Sequence, residues 1–246
     1  MSTTVVTQLP GGRSIVFDCP TETARTRAKY VLEKEPGTIA WIDSFEPGAV
    51  FWDVGANVGV YSLYAAVALG CRVVAFEPGA ANYHALNCNI RLNRFLDGQI
   101  QALCICLGDT TRASFLYMQD SDIGGALHSF GEPRDYKGDT FTPSSLQGSL
   151  SVTIDELVGR FGVALPAHIK IDVDGTECQV INGGRETFRD RRVRSVLVEV
   201  DMNDAAEVSG ISRALESAGM RRDDNVPGNR PRPLDNALIY NLIYRR

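Results

Sequence analysis

Three charged side chains occupy alternate positions in an apolar segment near residue 170. Lys170, Asp172 and Asp174 occur in the sequence KIDVDGTE, residues 170–177. Alternate residues of a strand point to the same side, so we expect these side chains to share one face. Burying them without partners would be costly, which predicts that they pair or line a cleft. A carboxylate in a cleft can take the proton of a hydroxyl nucleophile, so Asp172 is the first candidate for a catalytic residue.

The residues alone leave two interpretations of Lys170 open. It could tune Asp172 or stabilise a developing alkoxide, which would make it part of the catalytic machinery. Alternatively, Lys170 and Asp172 form a structural ion pair that supports the sheet. Two further candidates are Glu199, at the end of another predicted strand, and His128, which would act as a base in a loop-rich region.

A divalent cation is a separate alternative for the acidic residues. Asp172, Asp174 and Glu199 supply the oxygen ligands that hard cations prefer. Their positions show no recognisable metal-ligand spacing, so we predict no metal site.

A second set of candidate residues surrounds a glycine turn. The sequence FWDVGANVG, residues 51–59, joins a buried strand to a helix. Gly55 and Gly59 permit a tight turn and a close approach of the backbone to a ligand. In an open α/β sheet, nucleotides bind at such a turn, beyond the carboxyl end of the strand. Glu77 ends the next strand, where a carboxylate can accept hydrogen bonds from both hydroxyls of an adenosine ribose.

The spacing and charge of this turn indicate the kind of nucleotide. A dinucleotide site spaces its glycines as G-x-G-x-x-G, whereas here the spacing is G-x-x-x-G. Asp53 lies just before the turn, and its carboxylate would repel a diphosphate. The same carboxylate would attract the α-ammonium group of S-adenosylmethionine, which has no phosphate. We therefore predict S-adenosylmethionine as the cofactor; the alternatives are an NAD(P)-dependent oxidoreductase and a non-catalytic cofactor-binding module.

Alternating strands and helices must position these residues. Helices are expected at 58–69 and 80–93, and Gly70 ends the first of them. Strands are predicted from apolar runs at 49–54, 72–76, 99–107, 168–173, 195–200 and 237–243. This succession predicts an α/β fold of the Rossmann-like type, with a mostly parallel twisted sheet and helices on both faces.

Two regions fall outside the regular pattern. The pattern of residues 1–47 indicates a short N-terminal cap that contains a strand at 14–18. Residues 48–246 are expected to form the main domain. The region from about 110 to 150 is rich in Gly, Ser, Pro and Asp, which predicts long loops with short strands. An insertion of this kind in a regular frame is often where a substrate binds, so we expect it to face the acceptor.

Composition narrows the class of protein. The 246 residues carry a formal net charge of −5, which argues against a nucleic-acid partner because phosphates demand a basic surface. Six cysteines without a C-x-x-C pair are typical of a reducing compartment. The apolar runs are shorter than the ~18 residues of a membrane span. We therefore expect a cytoplasmic protein without a membrane partner, and the sequence is compatible with a homodimer.

Four stretches of the sequence resemble the FkbM family of S-adenosylmethionine-dependent methyltransferases. They are FWDVGANVG (51–59), AFEP (75–78), TIDEL (153–157) and KIDVDGTE (170–177). The resemblance implies a class I methyltransferase fold and a small-molecule acceptor whose hydroxyl is methylated, on a sugar or a secondary metabolite of the polyketide or glycoside type. Carried over by position, it implies that the cofactor is held by Asp53, Gly55, Asn57, Gly59, Glu77 and Asp109.

The sequence departs from the family pattern at Asp174, where the family usually has Glu. The shorter side chain matters only if this carboxylate has a tight geometric role. The region 110–150 shows the least likeness, so the resemblance does not identify the acceptor.

Overall fold

In the computed structural model, the chain folds around a twisted sheet with helices packed against it. The structure describes residues 4–94, 98–135, 137–234 and 236–246, so the first three residues of the predicted cap lie outside the described residues. The strands are β1 Thr4–Gln8, β2 Ser14–Asp18, β3 Val50–Val54, β4 Arg72–Phe76, β5 Ile100–Leu103, β6 Cys106–Leu107, β7 Arg112–Met118, β8 Ser129–Phe130, β9 Ser145–Val152, β10 His168–Ile171, β11 Ser195–Asp201, β12 Arg221–Arg222, β13 Arg232–Leu234 and β14 Ala237–Arg245. The helices are α1 Glu22–Lys29, α2 Val31–Lys34, α3 Pro36–Asp43, α4 Val60–Leu69, α5 Ala80–Leu92, α6 Ile154–Gly159, α7 Glu177–Asn182, α8 Arg185–Arg189 and α9 Ala205–Ser217.

The main sheet has the order β5-β4-β3-β10-β11-β14-β12, with β13 also paired to β14. The five strands from β5 to β11 are parallel, and β14 runs antiparallel to β11. The predicted α/β fold with a mostly parallel sheet is confirmed. The chain leaves β3 toward β4 on one side and returns as β10 on the other, so β3 and β10 flank the point where the strand order reverses. Ligands bind in the crevice at such a point.

The register of β3 and β10 places the two candidate groups side by side. Lys170 pairs with Asp53, and Ile171 pairs with Val54. The glycine turn after β3 and the acidic segment after β10 therefore leave the sheet at the same edge. The topology alone brings together residues more than 100 positions apart in the sequence.

The strands bury apolar side chains on both faces, and each face has its own core. Phe51 of β3 faces a core built with α3 and α4, whereas Trp52 and Val54 face a core built with α6, α7 and α9. Alternation along the strand produces this division because successive side chains point to opposite faces. The predicted coverage of both faces by helices is confirmed.

The predicted third strand, 99–107, is divided between two sheets. Its first part, β5, closes the edge of the main sheet, whereas β6 joins a second sheet of order β6-β9-β7-β8. The predicted loop region contains the long strand β9, which pairs antiparallel with β7. Its sequence, SLQGSLSV, is short of β-branched and aromatic residues, so it gives little local indication of a strand.

Residues 4–47, the N-terminal segment, pack against the core on the α4 side of the sheet. The hairpin of β1 and β2 is held by α5, because Asn93 and Asn89 accept hydrogen bonds from the backbone nitrogens of Val16 and Asp18 at 2.8 Å. Trp41 of α3 is fully buried and donates to Ser195 Oγ at 3.0 Å. Among the described residues, no helix combines the length and the apolar character that crossing a bilayer requires.

Candidate active site

A cavity of about 320 Å³ opens at the sheet edge where β3 and β10 end. Its volume lies within the range of small-molecule sites. The glycine turn, Glu77 and the segment after β10 form one side of its wall, and residues 125–128 of the insertion form another. The N-terminal segment contributes Arg27 and Lys34.

Gly55 and Gly59 serve the turn in different ways. Gly55 lines the cavity at φ +83°, and a Cβ there would lie 1.8 Å from the backbone oxygen of Asp172. Gly59 has φ +90°, and a Cβ there would lie 2.4 Å from a methyl carbon of Leu86. Gly55 therefore lets the turn approach the acidic segment, whereas Gly59 lets α4 begin against α5.

Among the predicted cofactor residues, Glu77 has the position and hydrogen bonds that agree best with its predicted role. Its carboxylate accepts hydrogen bonds from the backbone nitrogens of Asn57 and Gly79, both at 2.8 Å. A carboxylate has about four acceptor positions, so positions beyond these two bonds can serve the hydroxyls of a ribose. Burial raises the pKa of Glu77 to about 7. Glu77 and Asn57 both line the cavity, as a site for an adenosine requires.

Asp53 lies behind the cavity wall rather than on it. Its side chain is 1% exposed, and Oδ2 accepts a hydrogen bond from the Ser62 hydroxyl at 2.6 Å. Oδ1 has no hydrogen-bond partner among the described residues, and burial raises the pKa of this carboxyl. The direct attraction of Asp53 to an α-ammonium group thus stays a prediction. In this structure, the charge of Asp53 acts on Lys170 and helps to raise its pKa.

Asp109 lies away from the cavity, contrary to the expectation from its motif. It is exposed and accepts a hydrogen bond from the hydroxyl of the neighbouring Thr110 at 3.0 Å. Cys106 and Leu107 of β6 still line the cavity, whereas Asp109 follows that strand and does not belong to the wall. The structure therefore does not support Asp109 as a residue that contacts the cofactor.

Lys170 and Asp172 form a close ion pair, with Nζ 2.6 Å from Oδ2. Lys170 is 1% exposed, and its ammonium lies 5.0 Å from the centre of the Tyr61 ring. Burial acts to lower the pKa of Lys170, but the carboxylates of Asp172, Asp53 and Glu35 together raise it. Burial likewise opposes ionisation of Asp172, yet Lys170 holds the pKa of Asp172 below its usual value. Asp172 lines the cavity, so Lys170 is placed to orient it.

Asp174 leaves the predicted strand face and binds the insertion. Strand β10 ends at Ile171, and Asp174 has φ +61°. Its Oδ2 accepts a hydrogen bond from the backbone nitrogen of Leu127 at 2.7 Å. Burial, together with the charge of Asp172, raises the pKa of Asp174 to about 6. The shared strand face predicted for Lys170, Asp172 and Asp174 is therefore wrong for Asp174, because the strand has already ended.

His128 lies on the cavity wall within the insertion. Both ring nitrogens are buried and have no hydrogen-bond partner among the described residues. Burial lowers the pKa of His128, which favours the neutral imidazole. A neutral imidazole can accept a proton, so the structure leaves His128 chemically able to act as a base.

Glu199 lies on the same wall and is paired with Arg232. Arg232 also contacts Glu35 at 2.9 Å, which links β11 to the N-terminal segment. Burial, with the charges of Asp172 and Glu35, raises the pKa of Glu199 to about 8. Within the part of the chain that the structure describes, no group of three His, Cys, Asp or Glu side chains is arranged to hold a metal ion.

Sequence reasoning did not predict the contacts that hold the insertion in place. Asn82 of α5 accepts from the Gly124 nitrogen at 2.8 Å and donates to the Gly125 oxygen at 3.1 Å. Asn57 donates to the same oxygen at 2.7 Å. Arg27 donates to the Gly124 oxygen at 2.8 Å. These contacts join distant segments, and a Gly-Gly pair in a loop region was the only local signal for them.

The chain is similar to two curated proteins over most of its length. It is 28% identical over 225 residues to the AMB antimetabolite synthetase AmbE of Pseudomonas aeruginosa, covering 79% of this chain and 10% of that protein. It is 27% identical over 180 residues to the 31-O-demethyl-FK506 methyltransferase FkbM of Streptomyces tacrolimicus, covering 65% of this chain and 68% of that protein. The chain thus spans about a tenth of the first relative and about two thirds of the second.

Solved structures share the fold at low sequence identity. A methyltransferase FkbM from Methylobacillus flagellatus has a TM-score of 0.55 at 16% identity, covering 82% of this chain and 44% of that chain. A SAM-dependent methyltransferase from Agrobacterium tumefaciens has a TM-score of 0.50 at 12% identity, covering 100% of this chain and 70% of that one. These similarities show the class I methyltransferase fold.

A family model described as the methyltransferase FkbM domain matches residues 53–221, well over half of the chain. This range contains the glycine turn, Glu77, the insertion and the acidic segment after β10. The cofactor of this family is S-adenosylmethionine, as the spacing and charge of the glycine turn predict. The chain belongs to the FkbM family of S-adenosylmethionine-dependent methyltransferases.

Proposed function

We propose that this protein methylates a hydroxyl oxygen of a small molecule in the cytoplasm, and that the acceptor is a sugar or a polyketide-type secondary metabolite. The observation that carries the proposal is the set of carboxyl side chains on the cavity wall, two of them just after β10 and one in β11: Asp172, Asp174 and Glu199. An ionised carboxyl group accepts hydrogen bonds and a protonated one can also donate, so this wall is suited to a ligand that presents several hydroxyls. The similarity to FkbM of Streptomyces tacrolimicus, a 31-O-demethyl-FK506 methyltransferase, supports the same chemistry.

The reaction needs one base and a fixed alignment. When bound, S-adenosylmethionine supplies an electrophilic methyl group on a sulfonium. The acceptor oxygen forms a bond to that carbon, the carbon–sulfur bond breaks with its electron pair on sulfur, and the hydroxyl proton passes to a base. Much of the acceleration in such a displacement comes from holding the reactants in line.

Two cavity residues are suited to receive the proton. Asp172 is ionised and oriented by its ion pair with Lys170 at 2.6 Å. His128 is neutral, and its ring nitrogens are free to bind a ligand within the described part of the chain. In this proposal, Asp172 positions the acceptor hydroxyl and is the first candidate for the base. His128 is the second candidate.

The proposal is tested with S-adenosylmethionine labelled with ¹³C in the methyl group and a panel of sugars and O-demethylated macrolides. Mass spectrometry detects transfer, and carbon NMR of the product distinguishes an oxygen-bound methyl from one on nitrogen or carbon. We expect a labelled O-methyl product with at least one acceptor. A label found only on nitrogen or carbon across the panel would overturn the proposal while leaving the family assignment intact.

A further inference from the structure

The N-terminal segment contributes to the cavity although the matched family region begins only at residue 53. Arg27 of α1 and Lys34 of α2 line the cavity together with Gly55 and Asn57 of the glycine turn. A segment outside the matched region therefore contacts the same space as the cofactor turn.

A narrow recess of about 40 Å³ lies between the N-terminal segment and the glycine turn. Residues 55–57 and Asp172 form one side, and Arg27, Lys34 and Glu35 form another. A space of this size admits a small polar group and excludes a ring system. The cavity and the recess share wall residues, so a ligand on the glycine turn can extend a short chain into the recess.

The charges that line this recess are not equally neutralised. Lys170 is bound to Asp172 at 2.6 Å, and Glu35 is bound to Arg232 at 2.9 Å. Lys34 has only a longer contact to Glu35, at 3.6 Å, and its side chain is 54% exposed. An anion in the recess would therefore meet an ammonium group that no short ion pair occupies.

Arg27 adds a second cation at the same wall, and its hydrogen bond to the Gly124 oxygen at 2.8 Å fixes its position. Among the described residues that line the cavity, Arg27 and Lys34 are the only arginine and lysine. The carboxyl side chains on this wall are Glu77, Asp172, Asp174 and Glu199. A negatively charged ligand group is thus favoured at the N-terminal segment, where the cationic side chains of this wall lie.

S-adenosylmethionine ends in an amino-acid group with one charge of each sign. We propose that Lys34, with Arg27 beside it, binds the α-carboxylate of the cofactor, so that the N-terminal segment completes the cofactor site. The inference concerns the cofactor alone and does not depend on the identity of the acceptor.

Calorimetric titration with two ligands tests this assignment. S-adenosylhomocysteine carries the amino-acid end, whereas 5′-methylthioadenosine keeps the nucleoside and the sulfur but lacks that end. We expect Lys34→Gln to weaken binding of S-adenosylhomocysteine about tenfold and to leave binding of 5′-methylthioadenosine unchanged. Lys34→Arg keeps the charge and should retain most of the affinity. Lys29→Gln, at an exposed position of α1, is the matched control and should affect neither ligand.

Retained binding of 5′-methylthioadenosine also shows that a variant is folded. If Lys34→Gln weakens both ligands equally, the substitution has disturbed the nucleoside site and the proposal is overturned. If the affinity for S-adenosylhomocysteine is unchanged, Lys34 serves another ligand, such as an anionic acceptor, and the proposal is overturned as well.

Discussion

Asp172 combines two properties that are separable by experiment: it is ion-paired with Lys170, and it is exposed to the cavity. Removal of a purely structural pair would lower the stability of the protein without a selective effect on turnover. Removal of a group that orients the acceptor would lower turnover without a comparable effect on cofactor affinity. The two interpretations therefore predict different kinetic results for one substitution.

We expect Asp172→Asn to lower kcat by about 100-fold, within the range measured for general bases, and to change the affinity for S-adenosylhomocysteine by less than about threefold. The amide keeps the size of the side chain but loses its negative charge and its basicity. Steady-state kinetics with an identified acceptor and calorimetry with S-adenosylhomocysteine give the two values. Asp109→Asn, at an exposed acid outside the cavity, is the control and should change neither value. Normal turnover of Asp172→Asn would assign the residue to structure alone.

Cofactor affinity should depend on pH through Glu77. Burial raises the pKa of this carboxyl to about 7, so the free protein holds it protonated in mild acid. Only the ionised form accepts hydrogen bonds from both ribose hydroxyls, so binding should tighten as the pH rises through 7 and then level off. Below pH 7, the Kd for S-adenosylhomocysteine should increase by up to about tenfold per pH unit.

Calorimetry between pH 5.5 and 8.5 measures this dependence. Glu77→Gln has no titratable group at this position, so its weaker binding should be nearly independent of pH in the same range. An equally steep dependence in Glu77→Gln would show that another group is responsible.

At the scale of the elements, helix α4 has a glycine at each end, and the two differ in surroundings. Gly59 and Gly70 both have positive φ, +90° and +67°. A Cβ at Gly59 would lie 2.4 Å from Leu86, whereas a Cβ at Gly70 would meet no atom within 4 Å. The pair therefore separates the cost of a left-handed backbone from the cost of a steric clash.

We expect Gly70→Ala to lower the free energy of unfolding by about 1–2 kcal/mol, the cost of a left-handed alanine. Gly59→Ala should lower it by about 2–5 kcal/mol, because overpacking against Leu86 adds to the same backbone cost. Urea denaturation of the two variants measures the difference. Equal losses would indicate that α5 moves aside without cost and that Gly59 is not needed for helix packing.

The elements that the sequence predicts well are those with a strong local pattern. Strand β4 has the predicted bounds, 72–76, because its apolar run is continuous. Strand β9 was missed because five of its eight residues are Ser, Gln or Gly, which are common in loops. The strand order was not predictable either, since it depends on contacts between distant residues that leave no local pattern.

The candidate site shows the same division. Gly55 and Glu77 belong to one turn and its neighbouring strand, so spacing and charge sufficed to predict that they meet at one cavity, and the family resemblance added Asn57. Arg27 and Lys34 come from a different segment, and nothing in their local sequence indicates a ligand. Asp109 followed a motif whose strand divides between two sheets, so its position could not be inferred from the motif.

At the scale of the whole molecule, buried polar and aromatic side chains join the N-terminal segment to the main sheet. His168 of β10 stacks on Phe45 of the N-terminal segment, with ring centres 3.8 Å apart. Its Nδ1 lies 2.7 Å from Ser195 Oγ, and Trp41 donates to the same oxygen at 3.0 Å. His168 is only 3% exposed, so its protonation state affects how the N-terminal segment packs on the sheet.

The stability of the protein should therefore depend on the protonation of His168. Burial lowers the pKa of this residue to about 4, whereas an unfolded chain takes up the proton near the ordinary value of 6.5. Between these values the unfolded state binds more protons, so stability falls as the pH falls, by about 3 kcal/mol in total. Glu77 acts in the opposite direction, because the folded state keeps its proton up to about pH 7 while the unfolded chain loses it near 4.5. Asp174 and Glu199, whose pKa values are raised to about 6 and about 8, act in the same direction as Glu77, so the contribution of His168 is masked in the pH dependence of the native protein.

A substitution at His168 isolates the contribution of this residue to the pH dependence of stability. His168→Phe removes the titration but keeps an aromatic ring against Phe45. At pH 7.5 the variant should be less stable than the native protein, because Ser195 loses a hydrogen-bond partner in the core. As the pH falls from 6.5 to 4, its free energy of unfolding should rise relative to that of the native protein, since only the native protein then loses stability through His168. Urea denaturation across this range measures the difference in unfolding free energy between the variant and the native protein. A difference that stays constant with pH would show that His168 ionises in the folded protein as readily as in the unfolded chain.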